Sequence, residues 1–207
     1  GYEEAAAHGL VAGCNASLMA LGIKDSLILE RDQAYTGVLI DDIITHGTEE
    51  PYRMFTSRAE FRLKLRLDNA SARLGEIAHR VGLINDKIHS QFLDDDNRLN
   101  RVINYLRITH ILDENGKTVS LLDRLKRPEV HLSDFLTEDP EYFFFSDDSP
   151  TERAEFVRRV EAEVKYSGYL RRQEYRVKDM QRNRKRLIPV EMDFMAIKGL
   201  SSEGREK

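Results

Sequence analysis

The residues best suited to chemistry are arginines spaced four apart within residues 50–68, EPYRMFTSRAEFRLKLRLD. Arg58, Arg62 and Arg66 repeat at this spacing, and Arg53 precedes them. Positions i, i+4 and i+8 share one face of a strand and nearly share one face of a helix, so the three side chains are expected to project together. Because guanidinium groups bind phosphates through paired hydrogen bonds, the spacing predicts a phosphate-binding face.

A second interpretation of these arginines needs no ligand. In it they form a solvated face and pair within the chain with Glu49, Glu50 and Glu60. From residue 53 to residue 66 there are five basic side chains and one acid, Glu60, so the excess of arginine favours an anionic partner. Tyr52 and Phe55 add aromatic surface nearby. Both interpretations stay open.

The backbone conformation of residues 57–67 is also open. Residues 61–67, FRLKLRL, alternate strictly between apolar and basic side chains, which favours a strand. Just before them, Ser57 and Glu60 have the spacing of a capping box, which favours a helix.

The composition indicates a soluble protein with a sizeable core. Its 207 residues are 41% hydrophobic and 33% charged, and no apolar run approaches the about 20 residues of a membrane span. The chain is acidic overall, but residues 153–186 contain twelve basic and five acidic side chains. A single cysteine, Cys14, fits a reducing cytoplasm. The six histidines show no metal-ligand spacing, so no metal site is predicted and no catalytic residue is assigned.

The opening stretch GYEEAAAHGLVAGCNASLMALG predicts a helix with an unusual face. Ala5, Gly9, Ala12 and Ala16 form a stripe of small residues only. Such a stripe permits close approach of a sheet, a helix or a flat ligand; the alternative is tight packing of this helix within its own domain. Cys14 lies near this stripe and is expected to be a packed thiol.

Start and stop signals predict further helices along the chain. They are expected over residues 37–46 after a Thr36 cap, 69–82, 86–108 after Asn85, and 119–127, with a turn or hairpin over 111–120. Ser149, Pro150 and Glu152 open a long helix, with a bend expected at Gly168. Because Ser201 or Ser202 would cap a helix that does not follow, and no initiator methionine opens the chain, we expect a fragment of a longer protein.

Several motifs resemble, in order, those of the glucose-inhibited division protein A family. They are GYEEAAAHGLVAGCNAS, the long stretch from AYTGVLIDD to DNASARL, LLDRLKRPEV, VKYSGYLRRQ and IKGLSSEGREK. The resemblance covers nearly the whole chain and is least distinctive over residues 90–148. Members of this family are the flavin subunits of an enzyme that modifies carbon 5 of the wobble uridine in certain tRNAs.

The resemblance implies a mainly α fold with a small β element. Residues 1–66 would contain the last helix of a Rossmann-type flavin domain and a linker with the basic stretch, and residues 67–207 a truncated helical C-terminal domain. The complete enzyme of this family binds FAD, uses NADH and methylenetetrahydrofolate, and installs carboxymethylaminomethyl or aminomethyl on the uridine. It is a cytoplasmic homodimer that works with a GTPase partner. The alternative is an autonomous helical RNA-binding or protein-interaction module.

The resemblance also suggests residue roles. Gly1, Tyr2, Glu3 and Glu4 are the expected flavin neighbours. The residues expected to contact RNA are Arg53, Arg58, Arg62 and Arg66 near the active site, with Lys165, Arg171 and Arg172 on a more distal surface. Two residues depart from the family pattern: His8 replaces a usual glutamine, and Lys64 replaces a usual leucine and would add charge beside Arg62 and Arg66.

Overall fold

A computed structural model describes residues 1–113, 115–135, 143, 148–184, 187, 189, 191–197, 199 and 201. The chain divides into two compact units, residues 1–173 and residues 174–207. The described residues are mostly helical with one short hairpin, which confirms the predicted mainly α fold with a small β element. The domain division after residue 66 stays a prediction.

The α-helices of the described residues are α1 (Tyr2–Ala20), α2 (Tyr35–His46), α3 (Ala70–Arg80), α4 (Asp86–Ile108), α5 (Leu121–Leu125), α6 (Pro150–Lys165) and α7 (Ser167–Arg184). Short 3-10 turns occupy Thr56–Arg58, Leu132–Phe135 and Phe194–Ala196. Strands β1 (His110–Leu112) and β2 (Thr118–Ser120) pair antiparallel, with Ile111 opposite Val119. This confirms the predicted hairpin.

Local capping chemistry fixes several helix starts. The Asn85 side chain accepts from the Ile88 N–H at the start of α4. At the start of α6, Ser149 and Glu152 exchange both bonds of a capping box, with Pro150 at the first helical position. The predictions at these two positions are confirmed.

Helix α2 begins before the predicted cap. Thr36 lies inside the helix, and the extended residue Ala34 precedes its first turn. The reason is a turn in which the Glu30 carbonyl accepts from the Ala34 N–H, while the Ala34 carbonyl accepts from the Val38 N–H. The chain therefore enters the helix directly from this turn. At the other end Gly47 closes α2 with φ of 69°, as predicted.

The long helix after Ser149 breaks at Tyr166, two residues before the expected bend at Gly168. Tyr166 caps α6, and α7 begins at the next residue. The helix predicted to begin after Ser201 or Ser202 lies outside the described residues.

The main core of the first unit lies between α4, α5 and α6. Its fully buried members include Val102, Leu106, Leu125 and Val160. A smaller cluster joins α1 to the end of α3 through Cys14, Leu18, Leu27 and Val81, which confirms the packed thiol at Cys14. The small-residue stripe of α1 faces away from this cluster: its four members, Ala5, Gly9, Ala12 and Ala16, are all exposed.

Candidate nucleic-acid interface

Residues 57–67 form neither the strand nor the helix between which the sequence left the choice open. After the 3-10 turn at Thr56–Arg58, the chain runs through successive turns, held by bonds from the Lys64 and Leu65 N–H groups to the Phe61 carbonyl. The capping box predicted at Ser57 does not form, because Arg31 binds the Glu60 carboxylate at 2.7 Å. The common face expected from a regular spacing is therefore lost.

Arg66 is drawn into contacts within the chain. Its guanidinium lies 3.0 Å from Asp68 and 2.8 Å from Glu163, and it donates to the Leu63 carbonyl. Burial alone would lower the pKa of Arg66, but the hydrogen bonds to both carboxylates raise it. Arg66 therefore joins this segment to α6. Arg53, Arg58 and Arg62 are the predicted arginines that are left for an external ligand.

Arg53 and Arg62 are both exposed. Arg53 lies 5.8 Å from the centre of the Phe55 ring, a long cation–π contact. Neither arginine has a carboxylate at ion-pair distance among the described residues. Their guanidinium groups remain available to an external anion. Ion pairs of these two arginines with Glu49 and Glu50, the alternative interpretation, are not found among the described residues.

A cluster of four charged residues supports this surface from beneath. In the Arg31 cluster, the guanidinium of Arg31 lies 3.0 Å from Asp41, 2.5 Å from Asp42 and 2.7 Å from Glu60. Arg31 also donates to the Arg58 backbone carbonyl at 3.2 Å. Burial would lower the pKa of Arg31, but bonds to the three carboxylates raise it. Arg31 therefore links α2 to residues 58–60.

Asp42 connects the Arg31 cluster to the side chains of Tyr52 and Arg58. The Tyr52 hydroxyl donates to its second oxygen at 2.6 Å, and the Arg58 guanidinium lies 3.7 Å from the same oxygen. Arg58 also stacks over the Tyr52 ring at 4.8 Å. Burial and the bond to Asp42 raise the pKa of Tyr52 to about 12, so the phenol keeps its proton at neutral pH.

These side chains line a cleft of about 430 Å³ between the end of α2 and residues 50–58. We define the arginine cleft by six lining residues: His46, Glu50, Tyr52, Arg53, Phe55 and Arg58. Phe55 is 52% exposed, so it offers open aromatic surface. The arrangement combines guanidinium donors with aromatic rings, which suits a single-stranded nucleic acid.

The first turn of α1 approaches the same segment. The Met54 N–H donates to the Glu4 carboxylate at 2.8 Å, and this bond, with the Gly1 amino group, lowers the pKa of Glu4 to about 2. Glu3 and Glu4 line a cavity of about 340 Å³ with Tyr35, Leu39 and Met54. The structure thus brings the predicted flavin neighbours close to the predicted RNA-contact segment. Gly1 and Tyr2 are exposed.

The predicted distal surface contains one engaged and two exposed side chains. Lys165 lies 3.5 Å from Glu161 and donates to the Pro128 carbonyl at 3.3 Å. Arg171 is exposed, and Arg172 is exposed and stacks on Tyr169 at 4.7 Å. Their role as RNA contacts stays a prediction.

Lys64 does not join Arg62 and Arg66 on a common face. Its ammonium lies 2.7 Å from the buried carboxylate of Asp32. The other departure from the family pattern, His8, is partly buried on α1. A larger groove of about 600 Å³, lined by α1 and the end of α3, contains none of the predicted site residues. Among the described residues, no group of three or more His, Cys, Asp or Glu is arranged to hold a metal ion.

Arg31 and Asp42 are the important residues that sequence reasoning missed. The signal available was the pair Asp41–Asp42 inside the otherwise apolar stretch GVLIDDII, since a half-buried carboxylate pair requires a cation. The position of that cation, ten residues upstream in a loop, is set by the tertiary fold.

The fold and the arginine cleft define a mainly helical chain with a surface that combines arginine and aromatic side chains. Residues 86–174 match the profile of the tRNA modifying enzyme MnmG/GidA C-terminal helical domain. The chain belongs to the MnmG/GidA family. None of the described helices is long and apolar enough to cross a membrane.

Relatives agree with this assignment along the whole chain. The tRNA uridine 5-carboxymethylaminomethyl modification enzymes MnmG of Pediococcus pentosaceus and Caldicellulosiruptor saccharolyticus are 42% and 41% identical to it. The alignments cover all of this chain and 33% and 34% of those enzymes, so the chain spans about a third of their length. The crystal structure of Aquifex aeolicus GidA in form II has a TM-score of 0.75 and 31% identity, covering all of this chain and 33% of that one.

Proposed function

We propose that this chain is part of an FAD-dependent enzyme that installs carboxymethylaminomethyl or aminomethyl at carbon 5 of the wobble uridine of tRNA. The observation that carries the proposal is the 42% identity, along the entire chain, to an enzyme named for a modification of this kind. The chain's own contribution is tRNA-binding surface and part of a wall beside the flavin.

The tRNA-binding role rests on the arginine cleft and its neighbour Arg62. Arg53 and Arg62 have guanidinium groups without carboxylate partners among the described residues, and Arg58 is held by Tyr52 at the cleft. Phosphates of a single-stranded loop bind such groups, and unstacked bases pack on aromatic rings. We omit Arg66 from this surface because Asp68 and Glu163 already bind its guanidinium.

The residues of α1 fit the edge of a flavin ring. N–H groups in the first turn of a helix lack partners within that helix, and the helix dipole favours negative charge beside them. Tyr2, Glu3 and Glu4 would supply these donors, with the adjoining cavity as the wall and Gly1 allowing close approach of the backbone. The chain contains no G-x-G-x-x-G sequence to hold a dinucleotide pyrophosphate. FAD supplies the redox chemistry when bound.

The remaining parts of the proposal come from the family resemblance. They are NADH and methylenetetrahydrofolate as co-substrates, a GTPase partner, a homodimer and a cytoplasmic location. The described residues favour this enzyme over an autonomous module because α1 exposes its small-residue stripe together with Met19 on the same face. A helix that served only this chain's core would bury such a face.

The test is tRNA binding by the protein at its natural length. We expect the triple variant Arg53→Gln, Arg58→Gln, Arg62→Gln to weaken binding by at least about tenfold, and each lost phosphate contact to reduce the slope of log K against log salt by about 0.7. Affinity is measured by fluorescence anisotropy at salt concentrations from about 50 to about 200 mM.

The triple variant Arg101→Gln, Arg107→Gln, Arg127→Gln is the matched control. These three arginines are exposed and lie outside the arginine cleft, and their replacement removes the same three charges. Equal losses in the control and the first triple variant would show only an effect of net charge. Unchanged affinity in the first triple variant would refute the proposed tRNA contact.

A further inference from the structure

We propose that the arginine cleft binds one unstacked nucleotide of the RNA, with the base against Phe55 and its phosphate on Arg53 and Arg58. This inference rests on the proposed function and deepens it, because it assigns the cleft a single nucleotide rather than a general electrostatic role.

The size and walls of the cleft favour one nucleotide. Its volume of about 430 Å³ lies toward the lower end of small-ligand sites, which begin at about 300 Å³. One wall is the end of α2, and the other is the short segment around Pro51 and Phe55. A double helix is read over several base pairs in a groove, whereas a base that has left its stack needs one aromatic face and a phosphate site.

The cleft is built before any ligand arrives. Tyr52 is fixed by its hydrogen bond to Asp42, and the Arg58 guanidinium is placed by the Tyr52 ring and by Asp42. The Arg58 backbone is held by Arg31 at 3.2 Å. Because these groups are already ordered, binding costs less side-chain entropy than at a set of mobile surface arginines.

The charges in the cleft are compatible with a phosphate. Asp42 is paired with Arg31 and hydrogen-bonded by Tyr52. Glu50 is the other acid among the lining residues, with Arg53 and Arg58 as the cations. Because Arg31 is shared among three carboxylates, the cleft has no net positive charge, and a phosphate would be bound through direct hydrogen bonds to the Arg53 and Arg58 guanidinium groups. The acceptor oxygens of Glu50 are available to N–H groups of a base edge.

His46 adds a second acceptor with a defined tautomer. The Thr45 hydroxyl donates its hydrogen to the Asp41 carbonyl at 2.6 Å, so at 2.9 Å it accepts from Nδ1–H of His46. The neutral imidazole then has an unprotonated Nε2. A base with an N–H on its exposed edge satisfies this atom, so the cleft is expected to read the base as well as its aromatic face.

The experiment combines a protein variant with RNA that lacks one base. Anticodon stem–loops, each with one loop nucleotide replaced by an abasic residue, are titrated against the natural-length protein and its Phe55→Ala variant. We expect one abasic position to weaken binding to the unaltered protein by about tenfold, a loss typical of one base–aromatic stack. Phe55→Ala should weaken the complete loop by a similar factor and weaken that abasic loop no further.

Control variants separate the possible failures. Leu93→Ala removes a comparably exposed apolar side chain on α4 and should leave binding unchanged. Phe55→Leu keeps apolar bulk without an aromatic face and should behave like Phe55→Ala. The test compares the loss of affinity when Phe55→Ala and an abasic loop are combined with the product of the two separate losses. If the combined loss equals that product at every abasic position, no base lies on Phe55 and the inference fails. If instead the triple variant of Arg53, Arg58 and Arg62 binds normally, the proposed tRNA contact of this surface fails, and the single-nucleotide site fails with it.

Discussion

At the scale of single residues, Asp42 has the most demanding environment in the arginine cleft. Its two oxygens contact Arg31, Tyr52 and Arg58, although α2 buries the residue. Burial alone would raise the pKa of Asp42, but the hydrogen bonds from Tyr52 and Arg31 lower it. The carboxylate is therefore kept charged and oriented, and it fixes Tyr52 and Arg58 among the side chains that line the cleft.

This environment predicts the effect of Tyr52→Phe. Removing the hydroxyl takes a hydrogen bond from a buried carboxylate, so we expect a loss of about 1.5–3 kcal/mol in the free energy of unfolding at pH 7. The folded pKa of about 12 lies above the ordinary value of 10.0, so the unfolded phenol ionises first as the pH rises. The advantage of the natural protein should hold below pH 10 and shrink between pH 10 and about 12.

Urea unfolding of both proteins at a series of pH values measures this difference. Tyr2→Phe is the matched control, because the Tyr2 side chain is 93% exposed, and it should change nothing. A Tyr52→Phe protein as stable as the natural one at pH 7 would contradict the bond between Tyr52 and Asp42.

At the scale of elements, the sequence predicted the structure that local hydrogen bonds determine, but not the structure that depends on contacts with distant residues. Asn85 and Ser149 cap their helices through bonds that span three residues, and the sequence predicted both. Residues 57–67 gave two conflicting local signals, and a distant side chain decided between them. Arg31 takes Glu60, the residue that the capping box required, from 29 positions away. A distant side chain that binds a capping residue in this way cannot be predicted from the spacing of neighbouring residues.

Close approach of backbone explains why α2 contains Gly37. A Cβ there would overlap the Glu30 carbonyl and lie 2.6 Å from the Leu29 carbonyl oxygen. We expect Gly37→Ala to destabilise the fold by about 1–3 kcal/mol, because the cost of overpacking exceeds the helix propensity gained. Thermal and urea unfolding measure the change.

Gly13 in α1 provides the opposite case for the same substitution. Nothing lies within 4 Å of a Cβ built there, so Gly13→Ala should stabilise the fold by about 0.5–1 kcal/mol through helix propensity alone. If Gly37→Ala stabilised the fold as Gly13→Ala is expected to do, the proximity of Leu29 and Glu30 would not constrain α2.

At the scale of the whole chain, net charge conceals the distribution that matters for function. The formal charge is −4, yet two guanidinium groups, those of Arg53 and Arg58, line the arginine cleft. Because fields at the surface are screened over about 8–10 Å, an RNA loop senses the cleft rather than the total. Asp41, Asp42 and Glu60 contribute to the acidic total, but all three carboxylates are oriented by ion pairs to Arg31, and Asp42 is also bound by Tyr52 and Arg58.

The distribution of buried side chains in the first unit predicts unequal local stability. Helices α4 and α6 contribute fully buried residues such as Val102, Leu106 and Val160 to the main core, whereas α1 buries only Cys14 and Leu18 among its side chains. Local opening costs least where few apolar contacts must be broken. In the 207-residue chain, amides at the centre of α4 should exchange about 100-fold more slowly than those at the centre of α1, about 2.7 kcal/mol in opening free energy. Hydrogen–deuterium exchange read by mass spectrometry measures both helices in one sample, and equal protection would mean that α1 is held by more than its small cluster with the end of α3.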